Sequence, residues 1–178
     1  MRENRKVSFD FALKDSGGLS TYRGVKKYGV ELSVLQEFYP AATACEVVEL
    51  DLRGAVRLYS KIYWKHPGCD LLASGLDYFV FDTSLVCGPK NAARWVELAA
   101  GPLGIHSYED AIEYLNSIGL EEAISSIELF RRRRFKTSPL WPVLGAEWTN
   151  RCNRAKQRSL LLGAGGSSKV RERRFATA

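Results

Sequence analysis

The chain reads as a mainly α-helical domain. Several helices surround a buried central one, and a small loop or hairpin lobe lies near the N-terminus. Three observations predict this. Apolar residues recur at three- and four-residue spacing in successive segments, the mark of amphipathic helices. Leu71 to Val86 is apolar on almost every face, as expected of a helix buried all round. Residues 19–30 break the helical period with Gly, Ser, Thr and Tyr, and suit a hairpin.

Each element has its own signal. Val7 and Phe11, stopped by Gly17-Gly18, predict a first helix of about three turns. Leu32, Leu35 and Phe38 line a short helix ending at Pro40. Leu52, Ala55, Val56, Tyr59 and Ile62 give the next helix one apolar face. Gly88-Pro89 ends the central segment. Ala92, Trp95, Val96 and Ala99 follow, stopped by Gly101-Pro102. Ser107 and Asp110 read as an N-cap and first turn ahead of Ala111, Ile112 and Leu115. Ala123, Ile124, Ile127 and Phe130 run into Arg131 to Arg134, whose successive positions point all round a helix. These arginines read as a solvated helix end that suits the macrodipole. Trp148 to Arg158 predicts the last helix. Residues 1–162 are thus one domain. Residues 163–178 are a Gly/Ser linker and a basic extension.

Composition narrows the class. The 178 residues are 46% hydrophobic and 26% charged, ordinary for a soluble domain with a proper core. No apolar run is long enough for a membrane span. No apolar h-region follows the charged N-terminus, so no signal peptide is expected. Glu3 and Asp10 count against a transit peptide, although organelle import stays open. A cytoplasmic or virion-associated location follows as the expectation. Cys45, Cys69, Cys87 and Cys152 show no metal-ligand spacing, and read as reduced, mostly buried thiols. No cofactor or metal is expected. From Arg151 to Ala178 there are eight Lys/Arg and one Glu. Arg154, Lys156, Arg158, Lys169, Arg171, Arg173 and Arg174 are therefore candidates for a polyanionic partner such as nucleic acid.

Two short motifs carry the functional signal. The first is Ser16-Gly17-Gly18-Leu19, preceded by Asp15. The second is Arg23-Gly24-Val25-Lys26-Lys27-Tyr28-Gly29-Val30. They resemble the Glu-Gly-Gly-Tyr and Gly-Gly-X-Thr-X-Tyr-Gly-Ile motifs of glycoside hydrolase family 108. Ile62-Tyr63-Trp64, Phe81-Asp82-Thr83 with Gly88-Pro89, and Glu147-Trp148-Thr149-Asn150-Arg151 resemble further family segments in the same order. The resemblance implies a lysozyme-like α+β fold and an N-acetylmuramidase ancestry, with peptidoglycan as substrate. It also implies structural roles for Gly17, Gly18, Gly29 and Asp82, the last as a buried acid holding the loop after the first helix.

The departures fall on the chemistry. Glycosidic cleavage needs one carboxylic acid to protonate the leaving oxygen, and a second carboxylate or an activated water at the oxocarbenium-like centre. The resemblance puts the acid at Ser16, the second carboxylate near Thr21 and the water-positioning threonine at Lys26. None of these side chains can do those tasks. Asp15 is the candidate substitute acid, although on a helix it points about 100° away from Ser16. Tyr22, Tyr28, Tyr63 and Trp64 are candidates for stacking on sugar rings. The expectation is a lysozyme-like protein without hydrolytic activity, kept as a structural or binding subunit of a larger assembly such as a phage particle or ribonucleoprotein. An active muramidase of endolysin type, with Asp15 as general acid, is the alternative. Glycan binding without cleavage is the third reading.

Overall fold

The computed structural model describes residues 2–21, 24–101 and 106–165. Helix α1 (Arg2–Ser16) leads into three two-residue strands, β1 (Leu19–Ser20), β2 (Lys26–Lys27) and β3 (Val30–Glu31). The strands form an antiparallel sheet in that order, with Leu19 opposite Lys27 and Lys26 opposite Glu31. Then come α2 (Leu32–Phe38), α3 (Ala44–Val48) and α4 (Leu52–Leu58), which continues into a π-helical segment, Tyr59–Lys65. A 3₁₀ turn (Cys69–Leu71) precedes α5 (Leu76–Cys87), α6 (Pro89–Ala99), α7 (Tyr108–Ser117), α8 (Leu120–Lys136) and α9 (Trp141–Gly163). The class is the one predicted, mainly helical with a small sheet lobe.

Local chemistry sets the ends. Thr43 and Glu46 form a reciprocal capping box on α3. Asp51 caps α4 by accepting from Gly54 N at 2.6 Å, and Ser107 caps α7 by accepting from Asp110 N at 3.1 Å. Asp77 Oδ1 accepts from Gly75 N at 2.8 Å and Tyr78 N at 2.7 Å at the start of α5.

Three predicted boundaries are corrected. The first helix is longer, because residues 2–6 add a turn whose Asn4 side chain is held by Ser74 Oγ at 2.8 Å. The central helix starts at Leu76 rather than Leu71. The chain first makes the 3₁₀ turn and leaves Leu71 55% exposed. The last helix starts at Trp141, where Pro142 suits the first turn, and it runs on to Gly163. Gly163 is no linker residue. A Cβ there would lie 2.1 Å from Leu120 Cδ2, so α8 and α9 touch through its bare backbone.

Every residue of α5 from Leu76 to Leu85 is buried. It packs against α1, α6, α8 and α9. Phe9 of α1 sits 5.1 Å from Phe81 of α5 and 5.7 Å from Trp64, ring centre to ring centre. Tyr59 and Trp64 complete this cluster at 5.7 and 5.5 Å from Phe81.

A cluster of charged groups lies inside. Asp82 of α5 is 2.7 Å from Arg131 of α8 and 2.9 Å from Arg151 of α9. Burial alone would push its carboxyl up. Arg151 and Arg131 outweigh that and hold it below the ordinary carboxylate value. Asp82 therefore ties the three long helices together rather than the loop after α1. Arg131 is wholly buried, with its guanidinium 5.6 Å from both the Phe79 and Phe135 rings. This corrects the reading of Arg131–Arg134 as a solvated end, since the first arginine turns inward to meet Asp82.

Candidate functional site

A cleft of about 660 Å³ separates the sheet lobe from the helical body. One wall is the end of α1 with the sheet, presenting Asp15, Ser16, Lys26 and Glu31. The floor is the α5–α6 corner, Leu85 to Asn91. The far wall comes from the end of α8 and the start of α9, with Arg134, Phe135, Glu147, Trp148 and Arg151.

Ser16 sits where that wall turns. Its Oγ is buried. The side chain presses on Gly29, where an added Cβ would be 2.8 Å from Ser16 Oγ. Gly29 has φ +76, so glycine answers both the turn and the close approach. The Tyr59 hydroxyl donates to the Tyr28 carbonyl just before it, pinning this turn to the core. Burial pushes the Tyr59 phenol up to about 12, so it stays a donor. Tyr28 itself takes a positive φ of 52, which non-glycine residues rarely adopt.

Asp15 turns away from Ser16 and pairs with Arg158 of α9. One guanidinium nitrogen meets Asp15 Oδ2 and the other lies 3.3 Å from Oδ1. The guanidinium also stands 4.4 Å over the Phe11 ring and donates to the Tyr78 hydroxyl at 3.2 Å. Lys26 is 3.1 Å from Glu31, across the β2–β3 pair.

Of the expected constellation, the structure brings Asp15, Ser16, Lys26, Gly18 and Gly29 to the cleft. Thr21 is exposed and does not line it; its carbonyl accepts weakly from Gly24 N at 3.4 Å. Gly17, at φ +66, makes the turn out of α1. Tyr28 is half-buried with Lys27 over its ring, outside the lining. Tyr22 lies outside the described residues.

Two sugar-stacking candidates are corrected. Tyr63 and Trp64 are 1% and 0% exposed and belong to the core, because the π-helical segment turns them inward. Trp64 Nε1 donates to Asp70 at 2.8 Å. The aromatic side chains that line the cleft are Trp148 and Phe135, stacked with ring centres 5.2 Å apart. Sequence reasoning placed Trp148 at a helix start and in a family-like segment, but not among the site residues. Its signal was the Glu147–Arg151 motif, where alternate sides of a helix serve the cleft and the core.

The polyanion candidates on α9 each have a partner within the domain. Arg154 pairs with Glu147 at 3.0 Å, Lys156 with Glu128 at 3.3 Å, and Arg158 with Asp15. Their charges are neutralised inside the domain. Lys169, Arg171, Arg173 and Arg174 lie outside the described residues. Among the described residues no group of three or more His, Cys, Asp or Glu converges as metal ligands. None of the described helices is long and apolar enough to cross a membrane.

A helical body, a small three-stranded lobe and the cleft between them make up a lysozyme-like fold. Residues 9–88, from α1 to the α5–α6 corner, match the sequence profile of the glycosyl hydrolase 108 family. The resemblance of Glu147–Arg151 to that family lies outside the matched stretch. For the whole fold, the chain is similar to the solved structure of Brucella abortus SagA. The TM-score is 0.80 at 20% identity, covering 92% of this chain and 97% of that one. No curated protein matches the chain in sequence.

Proposed function

We propose that this chain is a lysozyme-like protein that does not cleave glycosidic bonds and serves as a structural or binding subunit of a larger assembly. The observation that carries this is the Asp15–Arg158 pair. The one acid beside the position where the family carries glutamate has both oxygens on a guanidinium. Ser16 supplies no acid in its place.

The other carboxylates lining the cleft are Glu31, Glu37 and Glu147. Each is ion-paired, with Lys26, Lys90 and Arg154. Their side chains are 42–65% exposed, unlike the dry apolar setting that keeps a general acid protonated. The Asp77 carboxyl is pushed upward, to about 6, chiefly by burial. It is not part of the cleft lining.

Family ancestry makes peptidoglycan the natural ligand of the cleft. Trp148 on its far wall favours a second reading, retained glycan binding without cleavage. The assembly would be a phage particle or a ribonucleoprotein, in a cytoplasmic or virion-associated setting. The basic residues 169–174 are the proposed contact to nucleic acid or protein.

Turbidity clearing of purified peptidoglycan tests the proposal. The native chain and Asp15→Ala are both expected to be inert. Clearing by the native chain, abolished by Asp15→Ala, would establish the muramidase alternative instead. Clearing gained by Ser16→Glu would show a cleft that lacks only its acid.

A further inference from the structure

The outward face of α4 and the π-helical segment carries a pattern that the cleft does not use. Arg53, Arg57, Lys61 and Lys65 follow one another at four-residue spacing and are all exposed. None is ion-paired with a described residue, whereas Lys26, Lys90 and Arg151 in the cleft all are. Like charges at this spacing repel on a helix, an arrangement that favours a bound polyanion.

The helix geometry keeps the row straight. In an α-helix each residue turns about 100°, and in a π-helix about 80°. The switch at Tyr59 therefore holds all four basic residues within about 45° of one another. Continued as an α-helix, the same chain would carry Lys65 about 120° away from Arg53.

An exposed aliphatic flank adjoins the row. Leu52 is 54% and Val56 38% exposed, one turn apart, and Val48 at the end of α3 is 41% exposed. Asp51, the acid nearest the start of the row, is occupied by Gly54 N at 2.6 Å. The exposed ring nearby, Tyr39, is covered by the Lys61 ammonium at 5.0 Å. Nucleic-acid platforms offer open aromatic faces for base stacking. Here the flank is aliphatic, as in helices that lie in a membrane interface with basic residues toward the headgroups.

We propose that this face, Leu52 and Val56 with Arg53, Arg57, Lys61 and Lys65, docks on an anionic lipid membrane. The aliphatic pair enters the headgroup boundary and the basic row meets lipid phosphates. This does not rest on the cleft being inactive, since none of these residues lines it.

Co-sedimentation of the full chain with vesicles tests it. One set is phosphatidylcholine alone, and the other contains roughly one-third phosphatidylglycerol, enough for a strongly negative surface. Binding is expected to the anionic vesicles only. Each basic residue at such a surface contributes roughly fivefold, so Arg53→Gln with Arg57→Gln lowers partitioning about 30-fold. Lys61→Gln with Lys65→Gln acts alike and guards against a folding defect in the first pair. Leu52→Ser with Val56→Ser lowers vesicle binding and leaves binding to poly-uridylate unchanged. Vesicle binding untouched by all three double variants would overturn the proposal and point to residues 169–174. Binding of poly-uridylate but not of vesicles, lost in the arginine variant, would overturn it in favour of a nucleic-acid surface.

Discussion

Asp15 and Arg158, 143 residues apart in sequence, close as an ion pair between the end of α1 and the last turns of α9. The pair is mostly buried, with side-chain exposures of 13% and 20%. It uses the only carboxylate next to Ser16 to join the ends of the domain.

Arg158→Ala should therefore act on stability rather than on chemistry. It removes the pair to Asp15, the hydrogen bond to Tyr78 and the contact with Phe11 at once. Breaking a partly buried pair of this kind costs about 2–4 kcal/mol. Urea unfolding of Arg158→Ala should show that loss, with peptidoglycan clearing still absent. A variant as stable as the parent would mean the pair is not formed in solution.

The Asp82 centre gives a larger effect. Arg131→Ala leaves a buried carboxylate with Arg151 as its only cationic partner, and should cost about 3–5 kcal/mol. Replacing Arg131 by Met fills the space between Phe79 and Phe135 but still leaves Asp82 with Arg151 alone. Asp82→Asn together with Arg131→Met should be less damaging than the two single changes added together. A double-mutant cycle by thermal unfolding measures this coupling. Because the Asp82 carboxyl is held below 3.8, its contribution is present at neutral pH and lost as pH falls through that range.

Asp77 works in the opposite sense. Its folded value of about 6 exceeds the ordinary 3.8. Burial raises it, and bonds from Asn4, Tyr78 and Gly75 offset only part. The native state then holds the proton more tightly than the unfolded chain. Stability should fall as pH rises from about 4 to about 6, by roughly 3 kcal/mol in total. Asp77→Asn keeps an acceptor for the two backbone N–H groups and should flatten the curve in this window. Unfolding free energies at a series of pH values would decide; an unchanged slope in Asp77→Asn would place the titration elsewhere.

At the cleft wall, Gly29→Ala should cost about 2 kcal/mol, from the left-handed backbone and the clash with Ser16. Adding Ser16→Gly removes the clash and leaves the backbone part, roughly 1 kcal/mol. Equal losses in the single and double variants would show that the two residues do not touch. The same contact bears on Ser16→Glu, whose longer side chain must leave past Gly29 into the cleft.

Much of the fold was legible in the sequence because burial here follows helical period. The stripes of α6, α7 and α8, the all-buried α5 and the Ser107 cap are local signals, and local signals survive in one sequence. The π-helical segment was not legible. Tyr63 and Trp64 read as sugar-stacking candidates; a regular period would put Trp64 about 140° from the buried Tyr59, and the change of pitch after Leu58 brings it into the core. The basic residues of α9 misled for a different reason. Arg154, Lys156 and Arg158 look like a free cationic run, but their partners Glu147, Glu128 and Asp15 lie up to 143 residues away or a helix across. Composition counts charge and cannot see pairing over such distances.

The order in which these contacts become available has a consequence for synthesis. Asp15, Ser74 and Asp82 all wait for α9, through Arg158, the Leu162 carbonyl and Arg151. A nascent chain that has emerged only as far as α8 has its cleft floor but an open seam along α1 and α5. Domains whose closing contacts span most of the sequence fold late. A ribosome that stalls or terminates before Leu162 would release a body with exposed seams, the kind of surface chaperones hold and proteases clear. Closure of these seams thus requires translation to run through α9.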